Sequence, residues 1–321
     1  MALLLRESDV RELLSLPELI GVMEEAVAAY SAHRVQQPVR TMINADNPES
    51  ILGIMSAYLP SAPALGVKLV TVFKGNALRN IPTHQAHIFL YSPHTGELLA
   101  IIDGRYITEV RTAAVSAVSV KKLAHADVSN RCELAIIGSG VQARSHAEIL
   151  PLVREFTDIR AWSPTSAHLK RFCEEMPKVR ATASAEDAIR GADVIVLATN
   201  ATSPVVLDKW VKPGVHIISL GAYLPEHREM DPKLVTRSRV FVDTRDLALR
   251  DSGDLVLGIR EGLFNADHIA GELGDPETKR LTADEITIFK SMGMAVEDMA
   301  AAHLVYQRAL ASSGKYATVK L

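Results

Sequence analysis

Leu134-Ala135-Ile136-Ile137-Gly138-Ser139-Gly140-Val141-Gln142-Ala143 is the stretch on which the fold reading turns. Four apolar residues that suit a strand buried on both faces run straight into Gly-x-Gly-x-x-Ala, and a helical pattern follows. Gly138 permits the tight turn after the strand, Gly140 lets backbone N–H groups approach a pyrophosphate, and the small Ala143 allows close helix–strand packing. Alone, such a string is a weak signal, since a chance turn satisfies it. Here the context strengthens it. Strand-like Ile159–Trp162, Val179–Thr182, Val194–Ala198, His216–Leu220 and Val240–Asp243 alternate with helical Ser166–Met176 and Ala185–Arg190. Apolar strands alternating with helices predict a doubly wound parallel sheet of the Rossmann type.

Upstream the texture differs. Ser15-Leu16-Pro17-Glu18 has the form of a capping box, and Leu19, Met23, Ala26, Val27 and Tyr30 follow at helical spacing, which predicts an amphipathic helix over about residues 17–33. From Arg40 to Ile102, short β-rich runs (Val67–Val72, His87–Tyr91, Leu98–Ile102) separated by turns predict an antiparallel meander. Thr108–Leu123 reads as a connecting helix, and Glu285–Ala309 as one long helix returning to the first domain.

The 321 residues fit two domains. With 48% hydrophobic and 23% charged residues, the chain has an ordinary globular composition. Its net charge of -3 and lack of a basic tract argue against nucleic acid as a partner. Cys132 and Cys173 are too few for a disulfide framework, which fits a reducing cytoplasm. No run of about 18 apolar residues suggests a membrane span.

The cofactor reading extends past the glycines. Where NAD sites commonly carry an acid at the end of the second strand, this chain has Ser163-Pro164-Thr165-Ser166. With no carboxylate to repel a 2′-phosphate, NADPH is favoured, with Lys170 or Arg144 as candidate counter-charges. If Ser163 and Thr165 only cap the helix, NADH serves as well.

In the same order along nearly the whole chain stand Gln37-Pro38-Val39-Arg40-Thr41, Val67-Lys68-Leu69-Val70-Thr71, Pro82-Thr83-His84-Gln85-Ala86, Asp103-Gly104, Arg111-Thr112-Ala113-Ala114-Val115-Ser116-Ala117, the glycine turn, Gly191-Ala192-Asp193-Val194-Ile195, and Phe289-Lys290-Ser291-Met292-Gly293-Met294-Ala295-Val296-Glu297-Asp298. Together they resemble the ornithine cyclodeaminase/mu-crystallin family, closest to its mu-crystallin-like ketimine reductases. The resemblance implies a homodimer with an α+β substrate-binding and dimerisation domain (1–115 and 300–321) and a Rossmann NAD(P)-binding domain (116–299). It implies that Arg40 and Arg111 bind a substrate carboxylate, that Lys68 is the active-site lysine, and that Thr83 and His84 line the pocket. It places Ser139, Val141, Gln142, Ser163, Thr165, Thr199, Asn200, Leu220 and Ser291 against the cofactor, beside Gly138, Gly140 and Ala143.

Spacing alone reads Lys68 as an outward strand lysine, Arg40 and Arg111 as solvated, and Glu297 and Asp298 as a solvated helix face; the resemblance reverses the first three, and the two acids are expected to anchor the last helix. His84 and His87 lack ligand partners at metal spacing and read as pocket or structural histidines, and Asp251-Ser252-Gly253-Asp254 reads as a turn and not as a metal loop. One departure separates the chain from the cyclodeaminases of the family. They place an aspartate two residues beyond the glycine after the strand ending at Leu220, and here Tyr223 stands there. The expected activity is reduction of the C=N bond of a small imino carboxylate, with Tyr223 covering the substrate or donating its hydroxyl. Ornithine cyclodeamination with catalytic NAD and a non-catalytic NADP-dependent ligand-binding role are the alternatives.

Overall fold

The computed structural model describes residues 1–46, 50–125, 132–312 and 314–320. It divides into two compact units, Met1–Arg111 with Gly293–Leu321, and Thr112–Met292. The chain thus rejoins the first unit at Gly293 rather than at residue 300.

In the first unit β1 (Ala2–Leu5) leads into α1 (Glu7–Leu13) and α2 (Leu16–Ser31). Leu19, Met23, Ala26 and Val27 bury one face of α2, as their spacing requires. Ser15 stands at its N-cap without a side-chain cap bond, so the expected capping box does not close, and Pro17 in the first turn is what suits the helix start. Then β2 (Thr41–Asn44), β3 (Ser50–Leu59), β4 (Ala64–Phe73), β5 (His84–Tyr91) and β6 (Leu98–Asp103) form the expected antiparallel meander. The alternation of β4 buries Ala64, Gly66, Lys68 and Val70 on one face and leaves Leu65, Val67, Leu69 and Thr71 on the other. His84 and His87 fall on opposite faces of β5 by the same alternation. α3 (Arg105–Leu123) carries the chain into the second unit.

There β7 (Glu133–Ile137), α4 (Val141–Ile149), β8 (Asp158–Trp162), α5 (Ser166–Glu175), β9 (Val179–Ala181), α6 (Ala185–Ile189), β10 (Val194–Leu197) and β11 (His216–Ser219) follow the expected alternation. α7 (Pro232–Arg237), β12 (Arg239–Val242), α8 (Arg245–Asp251), α9 (Gly253–Arg260), β13 (Ile269–Glu272) and β14 (Thr287–Lys290) complete the unit. All eight strands are parallel, in the order β13-β12-β14-β11-β10-β7-β8-β9. Chain order reverses between β7 and β10, the switch point where open α/β sheets bind ligands.

The helix expected over Glu285–Ala309 is a correction. Its first residues form β14, wholly buried between β11 and β12, because Thr287, Ile288 and Phe289 suit a strand apolar on both faces. Gly293 at φ 79 then breaks the chain before α10 (Ala295–Ala311). Asp251-Ser252-Gly253-Asp254 is the junction of α8 and α9, with Asp254 buried. Back in the first unit, α10 packs on β3, β4 and β5 and against α2, while β15 (Ala317–Val319) pairs with β1. The seven-stranded order is β15-β1-β6-β5-β4-β3-β2.

Candidate functional site

Strand alternation aims Lys68 at α10, where it is 1% exposed. Its Nζ lies 2.5 Å from Asp298 Oδ2 and donates to the Thr108 hydroxyl at 3.4 Å. Arg111, buried on α3, donates from Nε to Asp298 Oδ1 at 3.1 Å and from Nη1 to Glu297 Oε2 at 2.7 Å. Asp298 therefore bridges both cations. Gln37 takes the backbone N–H of Val296 at 2.8 Å, satisfying one of the open donors of the first turn of α10 and fixing the turn that carries both acids. Gly293 cannot be replaced without strain, because its φ is 79° and an added Cβ would lie 3.1 Å from the Arg111 guanidinium.

Two cations and two carboxylates thus share an apolar interior. Burying such groups costs several kcal/mol per ion unless they are paired, and here each cation has a carboxylate. Burial nevertheless brings the Lys68 ammonium down to about 8, with Asp298 opposing the fall and Arg111 adding to it. His84 shares the inward face of the sheet, since Val72 pairs with His84 and Lys68 with Ile88. Burial and then the charges of Lys68 and Arg111 hold its imidazole down at about 4, so it is neutral at physiological pH. Thr83 is exposed before β5, and its carbonyl accepts the Phe73 N–H at 2.8 Å. Arg40 is half-buried one residue before the Thr41–Ile54 pair, level with Met55, which pairs with Lys68.

In the second unit the glycine turn leaves β7 at the switch point. Gly138 has φ 120°, and a Cβ there would fall 2.2 Å from the Ala198 carbonyl oxygen, so only glycine fits. Gly140 caps the N-terminus of α4, and a Cβ on it would enter open space. The buried Gln142 Oε1 has no hydrogen-bond partner among the described residues, and Ala143 is buried under the helix while Val141 is exposed. Open space over a turn of backbone donors at a helix N-terminus fits a dinucleotide pyrophosphate.

The Ser139 hydroxyl donates to Ser163 at 3.0 Å, tying the turn to the end of β8. Thr165 stands at the N-cap of α5 but makes no side-chain cap bond. Arg144 reaches back to the Ser139 carbonyl at 2.6 Å and also binds Glu175, whereas Lys170 is exposed and faces Glu174. Of the two expected counter-charges, only Arg144 is thus seen against the turn.

Thr199 lies beyond β10 with Asn200 exposed beside it, and Leu220 is half-buried beyond β11. Ser291 follows β14, its N–H bonded to the Ser219 carbonyl at 3.0 Å. Tyr223 packs partly buried against the core of this unit, after Ala222 in the left-handed region at φ 48°.

Residues 1–313 match the family model for ornithine cyclodeaminase/mu-crystallin proteins. The chain belongs to the ornithine cyclodeaminase/mu-crystallin family. Among its relatives in the family, ketimine reductase mu-crystallin of Rattus norvegicus is 42% identical over 303 residues, covering 92% of this chain and 93% of the relative. Delta(1)-pyrroline-2-carboxylate reductase of Thermococcus litoralis, solved with NADH and L-proline, superimposes with a TM-score of 0.94 at 34% identity, covering 99% of this chain and 100% of that one. An archaeal alanine dehydrogenase dimer with bound NAD gives a TM-score of 0.92 at 30% identity, covering 100% of this chain and 99% of that one.

Sequence reasoning assigned Glu297 and Asp298 no part in the site of this family member, yet they are fully buried and hold both inward cations. Their signal was the context: two adjacent acids inside Met294-Ala295-Val296 and Met299-Ala300-Ala301-Ala302 have no solvated neighbours on either side.

Proposed function

We propose that this protein reduces the C=N bond of small imino carboxylates with NAD(P)H, NADPH being preferred and NADH accepted. The observation that carries the reading is the buried pair Lys68 and Arg111, since cations fixed by their neighbours can hold an anion in one orientation. The Arg111 fork and Arg40 hold the substrate α-carboxylate, setting the face that meets the cofactor. Glu297 and Asp298 fix the direction of the Arg111 fork before substrate arrives. Lys68 keeps a proton on Nζ at neutral pH, with which it pairs with the carboxylate or donates to the imine nitrogen. Thr83 and neutral His84 line the pocket. The dinucleotide, when bound, supplies the hydride. Gly138, Ser139, Gly140, Val141, Gln142 and Ala143 cradle its pyrophosphate, Ser163, Thr165 and Arg144 meet the adenosine side, and Thr199, Asn200, Leu220 and Ser291 border the nicotinamide half. Tyr223 in place of a carboxylate removes the proton acceptor that ornithine cyclisation needs.

The protein also acts as a homodimer in this reading. α10 covers one face of the seven-stranded sheet, while the other carries half-buried Ile54, Val67, Leu69, Phe89 and Ile101, an apolar face suited to a second copy.

The test is NADPH and NADH oxidation with piperideine-2-carboxylate, with pyruvate plus methylamine or ammonia, and with ornithine as control. Rapid oxidation with an imine or an oxo acid–amine pair is expected. No oxidation, with ammonia and proline released from ornithine and NAD, would overturn it in favour of the lyase; binding without turnover would favour a ligand-binding protein.

A further inference from the structure

Glu229, Asp254 and Lys290 are buried in the second unit and have no part in the chemistry above. They cluster under the C-terminal ends of β10, β11 and β14. Glu229 Oε1 accepts the Thr199 N–H at 3.3 Å and the Thr199 hydroxyl at 2.6 Å, and Oε2 accepts the Ser219 hydroxyl at 3.2 Å. The Thr199 oxygen in turn takes the Ala201 N–H at 3.0 Å. Lys290 Nζ donates to Ser219 Oγ at 3.1 Å and to the Gly221 carbonyl. Asp254 Oδ1 accepts the N–H groups of Glu229 and Met230 at 2.9 and 3.1 Å, which pins the segment carrying Glu229. One carboxylate therefore gathers two strand ends. The fit leaves no slack, since a Cβ on Gly221 would lie 2.2 Å from Glu229 Oε1 and 2.4 Å from the Thr199 carbonyl oxygen. The same strand end supports the glycine turn, because Ala198 is what a Cβ on Gly138 would strike.

We propose that Glu229 is a positioning residue for the dinucleotide, its ionised carboxylate holding the 199–201 and 219–221 strand ends in the arrangement that accepts the nicotinamide half. This rests on the dinucleotide-binding reading above. The groups facing the carboxylate are donors: the Thr199 N–H, the Thr199 hydroxyl already accepting from Ala201, and the Ser219 hydroxyl already accepting from Lys290. A proton on Glu229 sets a donor against donors and loosens one of these contacts. Burial pushes the Glu229 carboxyl up to about 7, with Lys290 on β14 opposing and Asp254 on α9 adding to the rise, while Arg228 acts on Asp254. The proton is therefore exchanged in the neutral range, and cofactor affinity falls as pH drops through it.

Fluorescence titration of the full chain with NADH between pH 6 and 8 tests this; NADH lacks the 2′-phosphate, which would itself titrate near pH 6. The dissociation constant is expected to rise about 5- to 10-fold from pH 8 to pH 6, and Glu229→Gln to bind at pH 8 as weakly as wild type at pH 6, without further pH dependence. Thr199→Val should flatten the pH step in the same way. If wild type binds NADH with a constant that does not change over this range, the positioning role is overturned while the dinucleotide reading stands. If wild type binds neither NADH nor NADPH, both fall.

Discussion

Each unit buries a cluster of charges, and the two are balanced differently. Around Lys68 and Arg111, two cations meet two carboxylates, and the group pushed from its ordinary range is the lysine, brought down to about 8. Around Glu229 and Asp254, two carboxylates share the buried Lys290, with Arg228 acting on Asp254, and it is an acid that moves, Glu229 being pushed up to about 7. Burial disfavours charge in both places and is the largest cause of each shift. The first cluster joins β4 and α3 to the start of α10; the second gathers the strand ends at Thr199 and Ser219.

Breaking the bridge of the first cluster should have the largest effect. Asp298→Ala leaves Lys68 and Arg111 short of a partner and should cost about 3–5 kcal/mol of stability in chemical denaturation, since removing one member of a buried pair strands the other. A loss below about 1 kcal/mol would mean that solvent reaches the cluster.

The second cluster should respond with the opposite sign. A carboxyl raised from 4.5 to about 7 gives stability that is complete below the unfolded value and lost as pH rises through the folded one, on the order of 3 kcal/mol in all. Wild type should therefore lose stability relative to Glu229→Gln between about pH 4.5 and 7, as melting temperatures against pH would record; parallel curves would show that Glu229 is not an isolated buried acid.

The pH profile of kcat/KM sharpens the first cluster further. Lys68 loses its proton as pH rises past about 8, so kcat/KM should fall about tenfold per pH unit above that point. A profile flat to pH 10 would remove Lys68 from substrate binding. The smallest effect belongs to the exposed edge of the dinucleotide turn, where Arg144→Ala should weaken NADPH binding about tenfold and leave NADH nearly unchanged, by isothermal titration.

The two clusters were unequally legible. The glycine turn and the strands on either side of it are local signals, so the parallel sheet could be read from Leu134–Ala143 outward. Lys68 could be found only through the motif it shares with the family, since spacing alone turns it outward. Its partners could not, because Asp298 reaches Lys68 and Arg111 only through folding, and local pattern carries no such pairing. Glu229 was invisible for the same reason, and Lys290 doubly so: Thr287-Ile288-Phe289-Lys290 runs into an Ala- and Met-rich helix, and the break at Gly293 shows only in its backbone angle.

The most direct measurement compares kcat/KM for piperideine-2-carboxylate with that for the same cyclic imine lacking the carboxylate, in wild type and Arg111→Met. An advantage of about 100-fold or more for the carboxylate is expected in wild type and should be largely lost in the variant, as for a charge-assisted contact worth about 2–3 kcal/mol. Equal rates for the two imines in wild type would contradict it, because the buried cations would then be holding something other than the substrate.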